Sequence, residues 1–213
     1  MDDTALGGGA EVEALRARIS ELDENSLDLI LTQARTHNGW SGRPVSDAQI
    51  RRLFDILKMG PTSANCMPGR FIFVRTPEAK ARLTPALVPG NVAKVEAAPV
   101  VAILGHDVEF WRHLSRLFPH KEMAVHYKDR PDFAEVNAFR NGTLQGAWLI
   151  IAARAMGLDT GAMSGFDNAK VDAEFFAGTT VKSNFLCCLG YGDTTKVLGK
   201  LPKFDFDEVC EII

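Results

Sequence analysis

A chain of 213 residues, 46% hydrophobic and 24% charged, has the size and balance of one folded domain with a substantial core. Its formal net charge of −3 gives no support to a broad nucleic-acid footprint, and no apolar run reaches transmembrane length. The four cysteines (Cys66, Cys187, Cys188 and Cys210) form no CxxC pair and no framework spacing, so a reduced, cytoplasmic protein is expected.

The start, MDDTALGGGA, is polar and glycine-rich and reads as mobile. Residues 1–25 are expected to form an N-terminal extension, partly helical, with Leu15, Ile19 and Leu22 at helical intervals. Residues 26–213 read as a single domain. Leu27, Ile30 and Leu31 keep helical spacing after a candidate cap at Ser26. A clearer helix follows a cap at Ser46, with Ile50, Leu53, Phe54 and Leu57 as its apolar stripe, and Gly60-Pro61 stops it. Arg70 to Arg75 reads as a short buried strand, Pro77 to Leu87 as a helix with proline in its first turn, and Pro99 to Leu104 as a second buried strand.

Residues 106–132 mix aromatics, histidines and charges with weak periodicity, as a mobile, partly helical, lid-like excursion or a plain surface helix pair would. From Phe133 to Met156 the longest helix is expected, ending at Gly157. Its second half is apolar almost all round, which places it centrally or at a subunit interface. Gly142, Gly146 and Ala147 would let another backbone approach it closely. A glycine-rich turn and a short helix capped by Asp167 come next. Asn184 to Leu189 is a third buried strand, with Cys187 and Cys188 on opposite faces, and the tail from Thr194 has no strong pattern. Three apolar strands among helices predict an α/β or α+β layered domain of open strand order.

Self-sufficient catalysis has no signature here: GxSxG, HExxH and Walker loops are absent. His113, His120 and His126 fit neither a helix face nor a zinc hairpin, so no metal site is expected. Cys187 and Cys188 read as inert strand residues, and Cys66 as a small residue in a crowded loop. A bound cofactor held by the loops would resolve this.

Four segments suit that task. Arg35 can fork onto a phosphate, with Thr36, His37 and Asn38 offering side-chain hydrogen bonds beside it. Pro61, Thr62, Ser63 and Asn65 supply hydroxyls, an amide and backbone groups to a polar ring edge. Asn91 and Lys94, three apart, share a helix face, where Lys94 can stabilise negative charge. Met163, Ser164 and Gly165 let backbone approach a planar ring. Taken one at a time, the four also read as a charged helix end, an ordinary turn, a solvated pair and a tight turn.

Together and in order, ART (34–36), GPTSAN (60–65), NVAK (91–94), GLDTGAMSGFD (157–167), LGYGD (189–193) and KLP (200–202) carry a resemblance. The chain resembles the FMN-dependent nitroreductase family. ARTHNGW, GPTSANC, LFPH (117–120) and MSGFD resemble in particular its branch of malonic semialdehyde reductases. The resemblance implies an α+β, three-layer α/β/α fold with a mixed, largely antiparallel sheet, in a homodimer with FMN at the subunit interface. It implies Arg35, His37, Asn38 and Lys200 around the phosphate or ribityl chain, and Pro61, Thr62, Ser63 and Asn65 reaching over from the partner. It implies Asn91 and Lys94 at the pyrimidine edge, with Met163, Ser164 and Gly165 near flavin N5. Lys94 is then an electrostatic stabiliser, and no side chain is singled out as catalytic. The chain departs from the wider family at Gly39, at Met67-Pro68-Gly69 and at Ser164.

The expected activity is NADH- or NADPH-dependent reduction of malonic semialdehyde to 3-hydroxypropionate in pyrimidine degradation. Water, Tyr127 or a histidine of 106–132 would supply the proton, and Arg112, Arg116 or Arg130 a cation for the carboxylate. The alternatives are a broad nitro or quinone reductase, a flavin-binding protein without turnover, and a plain interaction module.

Overall fold

In a computed structural model, which describes residues 8–213, the apolar runs assemble into one four-stranded sheet. The first seven residues of the glycine-rich start lie outside the described residues. The strands are β1 (Gly69–Val74), β2 (Val100–Asp107), β3 (Asp159–Met163) and β4 (Val181–Gly190), in the order β1-β2-β4-β3. All three ladders are antiparallel. Among the described residues the one parallel pairing is an isolated bridge from Thr36 to Thr160 on the outer edge of β3.

β2 is buried along its whole length, so its side chains feed two cores, one on each face. Val101 and Ile103, with Cys188 and Leu186 of β4, meet Leu83, Val95 and Val171 from α4 (Pro77–Leu83), α5 (Pro89–Ala97) and α8 (Asn168–Phe175). Ala102 and Leu104, with Cys187 and Leu189, meet Leu53, Leu57, Leu149 and Ala153 from α3 (Asp47–Leu57) and α7 (Pro131–Ala155). These are the three layers, α/β/α, of an α+β fold.

Local chemistry explains most of the boundaries. Ser46 and Gln49 close a reciprocal capping box on α3. The Asp167 carboxylate accepts from the Lys170 amide at 3.2 Å and starts α8. Helix α4 stops at Leu83 rather than reaching Leu87, because Pro85 brings no N–H and the chain tightens into a 3-10 turn over Thr84–Ala86. Gly157 ends α7 with φ +72°, a left-handed conformation suited to glycine.

Two further expectations are corrected. Ser26 is not a cap: its amide donates to Asp23 at 2.8 Å, and Asp23 caps α2 (Glu24–Leu27), which runs on as a π turn over Asp28–Thr32. Residues 159–163 form a strand rather than a loop. Gly161 is required because the chain at 36–40 lies against the strand: a Cβ there would sit 2.6 Å from the His37 carbonyl oxygen.

Helix α1 (Gly9–Arg18) buries no residue. Residues 106–132 fold into a 3-10 turn (Phe110–His113), α6 (Leu114–Leu117) and a second turn (Ala124–His126). Phe110, Leu114 and Tyr127 anchor them in a third small core with Cys66, Ala134 and Ala138. The tail carries one short helix, α9 (Phe206–Val209).

Helix α7 accounts for its apolar circumference twice over. Gly142 and Gly146 face the sheet, where a Cβ at Gly142 would come 2.8 Å from His106 and one at Gly146 would overlap the Phe185 ring. On the outward side Val136 and Phe139 are each 52% exposed, with Phe133 and Leu144 beside them. Val136, Phe139 and Leu144, with His106 and Lys182, line an open groove of about 960 Å³.

Candidate functional site

Segment 35–40 is laid along the β3 edge by backbone bonds: the His37 N–H donates to Thr160 O at 2.9 Å, and Trp40 bridges Gly192. His37 is consequently buried. Its Nε2 lies 3.2 Å from one Asp159 carboxylate oxygen, and the other oxygen accepts the Gly192 N–H at 2.7 Å. Gly192 packs flat on the imidazole, where any Cβ would overlap the ring. The His37–Asp159–Gly192 clasp thus ties the GYGD turn to the start of β3.

Beside this clasp is a cleft of about 720 Å³ that brings together Arg35, Asn38 and Lys200, with Thr32, Thr36 and Lys203. Its charged groups are cationic: Arg35, Arg154, Lys200 and Lys203. Arg35 spends one guanidinium nitrogen on the Gln33 and Ala34 carbonyls at 2.7 and 3.0 Å. Arg154 donates to Ile30 O at 3.0 Å, and partial burial lowers its pKa from the usual arginine value. Such a cluster around an amide and two hydroxyls suits a phosphate carrying a polyol. His37 forms part of the neighbouring wall and does not line this cleft.

A second group forms where α5 meets the end of β3. The Asn91 side-chain amide donates to Gly165 O at 2.9 Å, and the Val88 N–H reaches the same oxygen at 3.1 Å. A Cβ at Gly165 would lie 2.6 Å from that amide nitrogen, so only glycine fits without displacement. Lys94 follows one turn along, half-buried, with Met163 half-buried and Ser164 exposed nearby in the chain. Asn91 therefore shapes the 163–166 turn with its N–H and leaves its oxygen unused by that bond.

The third group, Pro61–Asn65, stands elsewhere. Gly60 lies against the Trp148 indole, and the chain then enters a loop with three non-glycine residues at positive φ: Ala64 (+48°), Asn65 (+49°) and Met67 (+39°). Asn65 donates its side-chain amide to Leu117 O at 2.8 Å, fastening α6 to the loop, and Thr62 Oγ1 accepts the Met67 N–H at 3.2 Å. Pro61, Ser63 and Asn65 remain exposed. This loop feeds β1, at the opposite edge of the sheet from β3. Three inter-strand steps put roughly 14 Å between those edges. None of the loop's hydrogen bonds runs to the Arg35 or Asn91 groups.

Burial pushes the Cys66 thiol up to about 11 and the Cys187 and Cys188 thiols up to about 12, which leaves all three protonated and unreactive at neutral pH. Among the described residues no helix is long and apolar enough to cross a membrane. Sequence reasoning missed Lys203, Asp159, and the two amides Asn141 and Gln145 that hold the 61–69 loop from α7. The amides leave little local signal, because Glu135, Asn137, Arg140 and Thr143 make the same stretch of helix polar.

The comparisons agree with this architecture. The nitroreductase family model matches residues 31–192. A Burkholderia lata protein provisionally named an NADH dehydrogenase/NAD(P)H nitroreductase is 55% identical over 194 residues, covering 91% of this chain and 100% of that protein. HadB of Ralstonia pickettii, with the same provisional description, is 53% identical over 190 residues, covering 88% and 97%. A nitroreductase-type structure from Exiguobacterium sibiricum, solved in complex with FMN, superposes with a TM-score of 0.77 at 16% identity over 91% of this chain and 99% of that one. The chain belongs to the nitroreductase family.

Proposed function

We propose that the protein is an NAD(P)H-dependent oxidoreductase that holds FMN between two copies of the chain. The observation that carries this reading is the division of the site. Arg35, Asn38, Lys200 and Lys203 line a cationic cleft at one edge of the sheet, roomy enough for a phosphate and the chain it carries. The exposed, strained 61–65 loop stands at the other edge. Packing the outward face of α7 against its counterpart in a second copy would cover Val136, Phe139 and Leu144, an exposed apolar patch of the kind that marks interfaces. It would also supply the missing loop from the partner.

FMN, when bound, supplies the hydride chemistry between NADH or NADPH and the acceptor. The chain's own tasks are to bind, orient and stabilise. Arg35, Lys200 and Lys203 hold the phosphate, and Asn38 and Thr36 the polyol chain. Lys94 favours negative charge at the ring edge, while Ser164 and Gly165 keep the backbone close to the ring.

The acceptor we propose is malonic semialdehyde, reduced to 3-hydroxypropionate, in the setting of pyrimidine degradation. Arg116 suits its carboxylate best. It is exposed beside the Leu117 carbonyl that Asn65 holds, and it forms no ion pair among the described residues. Arg112, by contrast, is paired with Glu109 at 2.7 Å, and Arg130 lies over the Phe133 ring. Tyr127 is buried against Phe110 and Phe133, which leaves water or one of the exposed histidines, His113, His120 or His126, to protonate the aldehyde oxygen. Unpaired cysteines fit a cytoplasmic setting. The second reading, a nitro or quinone reductase, is favoured by the relatives' names and shares the whole scaffold.

The test is the visible spectrum of the purified protein, followed by anaerobic NADH or NADPH. Flavin bands that bleach, and recover faster with malonic semialdehyde than with nitroaromatics or quinones, are expected. The reverse preference selects the second reading, and bands that never bleach leave a flavin-binding protein without turnover. A protein that stays colourless after incubation with FMN sinks all three.

A further inference from the structure

We infer that Asn141 and Gln145 of α7 are positioning residues that hold the 61–69 loop in its flavin-receiving shape; this rests on the function proposed above. The two are four residues apart, so they share one helix face, and each is only 2% exposed. Asn141 Oδ1 accepts the Ser63 N–H at 2.8 Å. Gln145 Oε1 accepts the Gly69 N–H at 2.6 Å. One helix therefore grips the loop at both ends. Asn141 is itself fixed, since its amide nitrogen donates to Asn137 O at 2.9 Å.

Between the two grips lie Ala64, Asn65 and Met67, all left-handed and none a glycine. Such backbone persists only where its surroundings over-determine it. Here the restraint comes from below. The amides of Asn65 and Cys66 return to the carbonyls of Thr62 and Ser63, and the Cys66 side chain is buried. With the loop fastened beneath, Pro61, Ser63 and Asn65 stay exposed on its other side. Burying two amides is unfavourable unless they are bonded, and their side-chain oxygens are bonded to the ends of this loop. Pre-forming the loop removes ordering cost from cofactor binding.

The experiment compares Gln145→Met and Asn141→Leu, which remove the acceptor, with Gln145→Glu and Asn141→Asp, which keep one. FMN affinity of the apo-protein, flavin midpoint potential and amide hydrogen exchange are read on each, with circular dichroism and oligomeric state as fold controls. Loss of one buried partner is expected to weaken FMN by about tenfold or more. The potential should fall, because donors to the reduced ring edge become less ordered. The acceptor-keeping variants should recover much of both. Met and Leu variants that fold and match the wild type in affinity and potential would overturn the inference. Wild-type apo-protein gives a reading that needs no variant to fold: the Ser63 and Gly69 amides should exchange slowly without FMN, and exchange as fast as in the exposed tail would also overturn it. If the wild type takes up no FMN, the function proposed above fails. If it binds FMN and the variants behave alike, only the roles of Asn141 and Gln145 fail.

Discussion

The two edges of the sheet are finished differently. At the β3 edge the chain covers itself: residues 36–40 lie along the strand, and His37, Asp159 and Gly192 lock that cover in place. At the β1 edge no further strand pairs among the described residues, and the loop leading into it is exposed above and strained within. The closed edge carries a cationic cleft complete in one chain. The open edge carries the exposed polar residues Ser63 and Asn65. An unpaired edge is a hazard that folded proteins cover, and a second copy is an economical cover. The contrast supports the proposed functional unit of two chains, although each chain folds around its own core.

Phe139→Arg should break the open side most severely. It puts a charge in the outward groove of α7, 5.5 Å from the His106 ring centroid as the phenyl now stands. Size-exclusion or sedimentation should show monomers, with FMN retention lost altogether. A dimer that survives would move the interface off α7. Arg35→Ala should weaken FMN by roughly ten- to a hundredfold, the span expected for a charge-assisted bond. The dimer should be untouched, because the cleft is completed within one chain; equilibrium dialysis checks it, and unchanged retention returns Arg35 to the surface.

Gly192→Ala sharpens the comparison from the other side. The added Cβ must displace His37, and the strain should cost about 1–3 kcal/mol of stability in denaturant unfolding. Its effect on FMN should be smaller than that of Arg35→Ala. The smallest effect is chemical: native protein at pH 8 should label at Cys210 alone, since burial holds the other three thiols at pKa values of about 11 and 12. Rapid labelling of Cys66 would mean that the 61–69 loop opens on its own.

Much of the scaffold was legible because local chemistry and tertiary packing agreed. The Ser46 cap, the Gly60-Pro61 stop and the apolar run of β2 each have one cheap conformation. Cys187 and Cys188 face opposite cores, as strand alternation requires. Strand β3 was illegible because the glycine at its centre, Gly161, serves a tertiary purpose, the chain lying against it. Residues 106–132 hid their order in turns too short for periodicity to register. In the site, residue type pointed to Arg35, Asn38 and Lys200, which share a cleft. It could not show that His37 is spent on Asp159, or that the Asn91 N–H is spent on Gly165, because hydrogen-bond partners distant in sequence leave no local trace.

The most direct test of a site built from two copies is complementation. Arg35→Ala chains are mixed with chains whose loop is disabled by Ser63→Pro and Asn65→Ala, the subunits are exchanged, and bound FMN is measured. Each heterodimer then contains one site with both parts intact. Statistical exchange should restore about a quarter of the wild-type flavin sites from two parents that hold almost none. No restoration, with heterodimers shown to form, would contradict the account and return the whole site to a single chain.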